Sequence, residues 1–344
     1  MSGMALRPVS YWEFKSQMKI LLVGGAGYIG SHMLKMLLAA GHQVVTFDNL
    51  SSGYRDAVLG GEFIQGDLAD TVALDQVFTQ HQPEAVMHFA SYIQVGESVK
   101  RPDIYYQNNV SNTLNLLNTM VKHDVKKFIF SSTAAIFGEP VAVPIDELHP
   151  KQPVNPYGKS KWMIEQALAD YDVAFGLKSI CLRYFNAAGA DPEGQLGERH
   201  EPETHLIPLL LQVASGRKPT INVFGRDYDT EDGTCVRDYI HVVDLCKAHL
   251  LALKNLEQHQ QSNQFNLGNG KGFSVQEVIN TVQRVTEKAI HVIDSPRRQG
   301  DPARLIADAT RAQRELTWHP SLSSLDTIVQ HAWNWEQKVT RTDP

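Results

Sequence analysis

Lys19-Ile20-Leu21-Leu22-Val23-Gly24-Gly25-Ala26-Gly27-Tyr28-Ile29-Gly30 sets the fold class. An apolar run ends in closely spaced glycines, and a helical pattern over 29–40 leaves them and stops at Gly41. Gln43-Val44-Val45-Thr46-Phe47 then reads as a second strand closing on Asp48. The result is a βαβ unit whose first turn is Gly-x-x-Gly-x-x-Gly through Gly24, Gly27 and Gly30, or Gly-x-Gly-x-x-Gly counted from Gly25. Glycines there make a tight turn and let backbone N–H groups and the helix N-terminus approach a pyrophosphate. A turn that only packs helix against sheet would use the same residues, so the second strand matters. Asp48 stands at its end, where a carboxylate accepts bonds from a ribose hydroxyl and repels a 2′-phosphate. The unit therefore reads as a dinucleotide site that favours NAD over NADP.

Working outward, 62–64, 85–88, 128–130 and 179–182 read as further buried strands, with helices near 71–80, 104–123 and 156–175 between them. This alternation predicts an α/β fold with a Rossmann-type, doubly wound parallel sheet covered on both faces. Beyond about residue 186 the alternation loosens, an acidic loop appears at 229–233, and shorter helices are expected near 206–215, 243–255 and 275–287. The expected organisation is an N-terminal tail at 1–17, an NAD-binding domain at 18–185, a smaller α/β substrate domain at 186–338 with the chain free to cross back to the first sheet, and a C-terminal tail at 339–344.

Composition narrows the function. The 344 residues carry a net charge of −6 with no block of like charges, so the basic footprint of a nucleic-acid binder is missing. Hydrophobic residues make up 42%, and no apolar run approaches the ~18 residues of a membrane span. The first segment contains Trp12, Glu13 and Lys15 and lacks the clean apolar stretch of a secretion signal. Cys181, Cys235 and Cys246 show no Cys-x-x-Cys spacing, which points to a reducing, cytoplasmic setting. None of the 14 histidines stands in His-x-x-x-His, and His200 and His205 would fall on poorly matched faces of a helix. No metal site is expected.

Asn155-Pro156-Tyr157-Gly158-Lys159-Ser160-Lys161 opens a helix, with Asn155 as cap and Pro156 in the first position. Tyr157 and Lys161 then share a face, and the ammonium is expected to lower a phenol pKa of about 10 towards neutrality. That would make Tyr157 a proton acceptor or donor. The spacing alone carries little weight, because Tyr11 and Lys15 repeat it in the tail. Its force comes from Ser131-Ser132-Thr133, directly after a strand at the carboxyl edge where open α/β sheets bind ligands. A hydroxyl there can bind a substrate oxygen undergoing oxidation.

With these pieces, His88-Phe89-Ala90, Val95-Gly96-Glu97-Ser98, Tyr106-Gln107-Asn108-Asn109-Val110, Arg183-Tyr184-Phe185-Asn186, the run 233–242 and the run 296–301 resemble the extended short-chain dehydrogenase/reductase superfamily and, within it, the UDP-glucose 4-epimerase family. The resemblance covers about 18–337. It implies a Rossmann domain holding NAD and a smaller domain holding the nucleotide of a UDP-sugar. It also implies Tyr157 as general base, Lys161 as its electrostatic partner and ribose ligand, and Thr133 as the hydroxyl steadying the sugar oxygen. Cofactor contacts fall, by the same resemblance, on Gly24, Gly27, Tyr28, Ile29, Gly30, Asp48, Asn49, Asp67, Leu68, Phe89, Ala90, Asn108, Ser131 and Tyr184, besides Tyr157 and Lys161. Substrate contacts fall on Phe185, Asn186, His205, Leu206, Phe224, Arg237, Arg298, Asp301 and Leu305, besides Thr133. The two arginines suit a pyrophosphate, which planar cations bind through paired hydrogen bonds. The implied reaction is an isomerisation of UDP-galactose and UDP-glucose by reversible transfer of the C4 hydride to tightly bound NAD through a 4-keto sugar. A homodimer is implied through helices near 104–123 and 156–175.

Departures from the family pattern sharpen the reading. Thr133 stands where serine is common and keeps the hydroxyl. Ile93 replaces a lysine found in some bacterial members. Leu305 aligns with a bulky tyrosine of the galactose-restricted form, and a smaller residue there can admit the N-acetyl group of UDP-GalNAc or UDP-GlcNAc. Nucleotide-sugar 4,6-dehydratases place an Asp-Glu pair just after the catalytic threonine, whereas this chain has Ala134-Ala135, which argues against dehydration. UDP-glucuronate or UDP-pentose epimerases and decarboxylases differ at a few C5 contacts and stay open. So does, from another class, a non-catalytic NAD sensor.

Overall fold

The computed structural model describes residues 17–298 and 301–342. Its central sheet contains β1 (Lys19–Val23), β2 (Gln43–Asp48), β3 (Glu62–Gln65), β4 (Ala85–His88), β5 (Lys127–Thr133) and β6 (Lys178–Tyr184), joined by the strand Asn263–Leu267. The order is Asn263–Leu267, β6, β5, β4, β1, β2, β3, and all pairings are parallel. β1 shows why its apolar run becomes a buried strand. Ile20 and Leu22 point into one core with Met33, Leu34 and Leu37 of α1 (Tyr28–Ala39), while Leu21 and Val23 point into the other with Leu74 and Phe78 of α2 (Thr71–His81).

α3 (Val95–Lys100) and α4 (Pro102–Tyr105) lead into a π-helical turn at Tyr106–Ser111 and then α5 (Asn112–Lys122). One unbroken helix was the expectation over 104–123; the wider turn interrupts it and carries Asn108 and Asn109. π-turns of this kind recur at functional sites. α6 (Pro156–Phe175) packs with α5 on the α2 face, supplying Ile164 and Leu168 to that core.

A third core holds the smaller lobe together. Leu210, Ile279 and Val329, from helices Leu206–Ala214, Val275–Thr286 and Leu325–Thr342, meet Val223 of the strand Ile221–Phe224. The chain beyond 186 divides between the two bodies. Helix Val242–His259 lies against α1, and strand Asn263–Leu267 pairs with β6, because Leu245, Leu253 and Phe265 fill the first body's core. The chain thus crosses back to the Rossmann sheet. At the other end, residues 339–342 continue the last helix instead of forming a tail. The tail expected at 1–17 lies, apart from Gln17, outside the described residues. No helix among the described residues is long and apolar enough to cross a membrane.

Candidate active site

β1 sits at the switch point of the sheet, between β2 and β4, and the glycine loop leaves its carboxyl end. Gly24 has φ +80°, and a Cβ there would stand 2.5 Å from the Ala90 nitrogen; a Cβ on Gly30 would run into the Gly24 carbonyl oxygen. At Gly27 the nearest atom to an added Cβ is 3.5 Å away, so the loop presents open backbone where α1 begins. Asp48 braces this loop. Its Oδ2 accepts from Ala26 N (2.9 Å) and its Oδ1 from Leu50 N (2.8 Å), and each oxygen keeps capacity for a ribose hydroxyl. Burial raises the Asp48 carboxyl above the usual range, and those two N–H groups pull it back. These features fit a dinucleotide: glycines that tolerate no Cβ, a helix N-terminus, and an acid at the end of β2.

The other residues assigned to the cofactor gather along the same edge. Asn49 Nδ2 donates to Asp67 Oδ2 (2.7 Å), Leu68 is buried, and the Leu68 carbonyl accepts from Asn115 (3.1 Å). Phe89 lies beside His249 with ring centroids 4.9 Å apart. Tyr28 donates its hydroxyl proton to the Gly189 carbonyl (2.7 Å), and the Ile29 carbonyl accepts from Cys246, so both also tie α1 to later segments. Asn108 donates to Asn109 (3.0 Å).

At the chemical end, β5 runs three residues beyond the expected 128–130, so Ser131, Ser132 and Thr133 belong to the strand. Ser131 Oγ meets the Tyr184 hydroxyl, Ser132 Oγ donates to Glu165 Oε1 (2.5 Å), and Thr133 Oγ1 accepts from Ala135 N (3.1 Å) and stands beside the Tyr157 phenol, favouring its ionised form. Asn155 caps α6 as expected, its Oδ1 accepting from Gly158 N (2.9 Å), with Pro156 in the first turn. Lys161 Nζ donates to Ser91 Oγ and to the Ser131 carbonyl, both at 2.8 Å, and lies 4.8 Å from the centre of the Phe130 ring.

The electrostatic expectation is corrected here. Burial pushes the Tyr157 phenol above its ordinary value, and the Thr133 hydrogen bond pulls it down. Burial also lowers Lys161 to about 7, with Glu165 acting to raise it. The ammonium spends its hydrogen bonds on Ser91 and β5, so desolvation outweighs the field it was expected to impose on the phenol.

Sequence reasoning missed the groups that hold this arrangement. Glu165, one turn beyond Lys161, accepts from Arg183 Nε (3.0 Å) and Nη2 (2.5 Å), with both side chains 3% exposed. Asn109 Oδ1 accepts from Tyr92 N (2.9 Å), and its Nδ2 donates to Tyr92 O (3.0 Å) and Ser160 Oγ (3.2 Å), linking the π-turn to α6. The signals available were weak: a carboxylate four residues after Lys161, and Asn109 and Arg183 inside segments already singled out.

The smaller lobe brings together most residues assigned to the substrate. Arg237 Nη2 donates to Asp301 Oδ1 (2.7 Å), and its Nη1 donates to the Val236 (2.8 Å) and Pro302 (2.9 Å) carbonyls. Arg298 stacks on Phe224 at 4.0 Å. Asn186 bonds the Asp238 carbonyl through N (3.1 Å) and Nδ2 (3.2 Å). Leu305 pairs in register with Arg237 and packs, with Phe185, on the cluster of Ala134 and Phe137 next to Thr133. Leu206 opens its helix, whereas His205 before it turns its ring to Glu198 and Glu203 (2.7 and 3.3 Å).

Fold and site together define a two-lobed, dinucleotide-dependent enzyme of the Rossmann class with a Thr–Tyr–Lys constellation. The family model described as NAD dependent epimerase/dehydratase matches residues 20–268, and the chain belongs to that family. A UDP-glucose 4-epimerase of Halalkalibacterium halodurans is 54% identical over 321 residues, 93% of this chain and 96% of that protein. The solved UDP-glucose 4-epimerase of Brucella ovis in complex with NAD is 46% identical and superposes with a TM-score of 0.90, over 92% of this chain and 97% of that one. The corresponding enzyme of Bifidobacterium longum, in complex with NAD+ and UDP, is 40% identical with a TM-score of 0.87, over 93% and 98% of the two chains.

Proposed function

We propose that this protein is a UDP-glucose 4-epimerase that interconverts UDP-galactose and UDP-glucose. The observation that carries the reading is Thr133 at the carboxyl end of β5, its hydroxyl close enough to the Tyr157 phenol of α6 to favour proton loss, and followed by Ala134 and Ala135 and not by an acid–base pair. Bound NAD supplies the reversible acceptor for the C4 hydride. The chain's own groups do the rest. Thr133 holds the C4 oxygen, and Tyr157 takes the hydroxyl proton and gives it back to the inverted centre. Gly24, Gly27, Gly30 and Asp48 hold the dinucleotide, with Lys161 on its ribose side. Arg237 and Arg298 neutralise the UDP pyrophosphate, so binding energy is placed on the nucleotide while the sugar turns over.

Leu305, packed beside Phe185 and the Thr133 end of β5, supports acceptance of N-acetylated UDP-hexoses as well. The remaining site assignments except His205, whose ring turns to Glu198 and Glu203, a homodimer formed through α5 and α6, and a cytoplasmic setting belong to the same reading. Met163 on α6 and Val95 and Val99 on adjacent α3 are exposed apolar side chains that such an interface would cover.

Proton NMR of purified protein without added NAD tests this, with UDP-galactose and UDP-N-acetylgalactosamine in separate tubes. Conversion of the first to UDP-glucose is the expected outcome and shows a retained cofactor. Conversion of the second supports the role of Leu305; no turnover of it removes that extension. Failure of both after NAD is added overturns the epimerase reading and moves attention to uronate and pentose nucleotides. Sedimentation analysis reads the dimer.

A further inference from the structure

Residues 198–205 are not helical, so the expectation that His200 and His205 point apart fails for a physical reason. Released from helical geometry, the loop folds both rings back onto two glutamates. We propose that Glu198, His200, Glu203 and His205 form a binding site for a divalent transition-metal ion, zinc by its donor chemistry. One ligand atom from each lies within 4.8 Å of all the others. Glu198 Oε1 is 2.7 Å from His205 Nδ1 and 3.2 Å from His200 Nδ1. Glu203 Oε1 is 3.3 Å from His205 Nδ1, and Glu203 Oε2 is 3.6 Å from His200 Nδ1. Tetrahedral zinc with bonds of ~2.0–2.1 Å to nitrogen and oxygen separates its donors by about 3.3 Å, which falls within the span of these approaches, the widest of which is no more than 4.8 Å.

A second observation concerns the direction of these approaches. Glu198 Oε1 and both Nδ1 atoms are buried without a hydrogen-bond partner, although they approach within hydrogen-bond distance. Close approach without hydrogen-bond direction is what donors aimed at a common central ion show. The Glu198 and Glu203 side chains are only 6% and 4% exposed. Two carboxylates also match one dication in charge, so a bound ion would leave the cluster neutral. The surroundings hold the donors in place. Glu203 Oε1 accepts from Thr204 N (2.7 Å) and His205 N (2.8 Å), and the Glu198 carbonyl accepts from Trp335 Nε1 (3.3 Å).

The site lies where the lobes meet. Arg199 pairs with Asp56 (3.0 Å to Oδ2) and stacks on Tyr54 at 4.0 Å, while Trp335 belongs to the last helix. The ion's role is structural: it locks the loop, and with it the start of helix Leu206–Ala214, against both bodies. Tag-free protein from zinc-supplemented culture is expected to retain about one zinc per chain through dialysis, read by mass spectrometry of metals. Stripping with a chelator should lower Tm, and Zn2+ alone should restore it. Glu198→Gln and His200→Ala should each retain less than about a tenth of an equivalent. If either variant fails to fold, X-ray absorption of the zinc-loaded wild type decides, with an all nitrogen/oxygen shell containing imidazole expected. Absence of zinc uptake by the stripped wild type overturns the proposal and leaves two protonated histidines paired with two glutamates. A sulfur shell, or full zinc in both variants, places the ion elsewhere and overturns it too.

Discussion

Tyr157 is half-buried, with a phenol raised by desolvation and drawn back down by the Thr133 hydroxyl, which favours proton loss. Its role in the proposed chemistry is proton transfer. Tyr157→Phe is therefore expected to lower kcat by about 10²–10⁴-fold while the purified protein still carries NAD, read by turnover and by dinucleotide released on denaturation. Retained turnover would remove Tyr157 from the chemistry. Gly30 acts differently: its α-hydrogen faces the Gly24 carbonyl, and Gly30→Ala should displace the loop and abolish NAD retention. Both residues were legible in the sequence, because loop glycines and a helix-start tyrosine are local features. The partners of Lys161 were not. Ser91 lies 70 residues away in the chain, and no spacing rule connects the two.

At the level of elements, α6 shows what local chemistry can specify. Asn155 and Pro156 set its start, Gly176 with φ +68° ends it, and the bounds expected from sequence agree with the structure. Asn155→Ala should cost about 1 kcal/mol in denaturant unfolding. The link from α6 to the sheet is a larger matter. Glu165 neutralises Arg183 in a site closed to water and accepts from Ser132 at the end of β5. Glu165→Ala leaves a buried guanidinium unpaired and should destabilise by about 3–5 kcal/mol, with turnover falling as Thr133 loses its setting. A smaller loss than for the Asn155 variant would show that the pair is dispensable. The ends of β5 and the π-turn escaped sequence analysis. Ser131 and Ser132 are polar and interrupt the apolar pattern, yet side-chain partners satisfy them inside, and a π-turn inserts into a helical pattern without a composition change.

Across the whole molecule, buried histidines govern the response to acid. Burial lowers His32 and His249 to about 4, and His88 and His241 to about 3. The unfolded chain, with histidine pKa values of about 6.5, binds more protons than the native one between these folded values and about 6.5. Stability from this source is full above that unfolded value and is lost as pH falls towards 4. Tm should drop steadily from about pH 6.5 to 5, and His249→Gln should flatten the slope; a Tm independent of pH over that range would contradict the assignment of neutral buried rings.

The sequence by itself determined the parts of this protein whose physics is local. The glycine turn between β1 and α1, the acid at the end of β2, the cap of α6 and the alternation of strands and helices follow from backbone freedom, capping and side-chain periodicity within a few residues. Tertiary structure alone decided how distant segments meet. It returned Asn263–Leu267 to the edge of β6, directed Lys161 to Ser91, joined Glu165 to Arg183, and gathered Glu198, His200, Glu203 and His205 around one point. Those outcomes depend on desolvation and on contacts made only when the cores form, so no reading of residue spacing contains them.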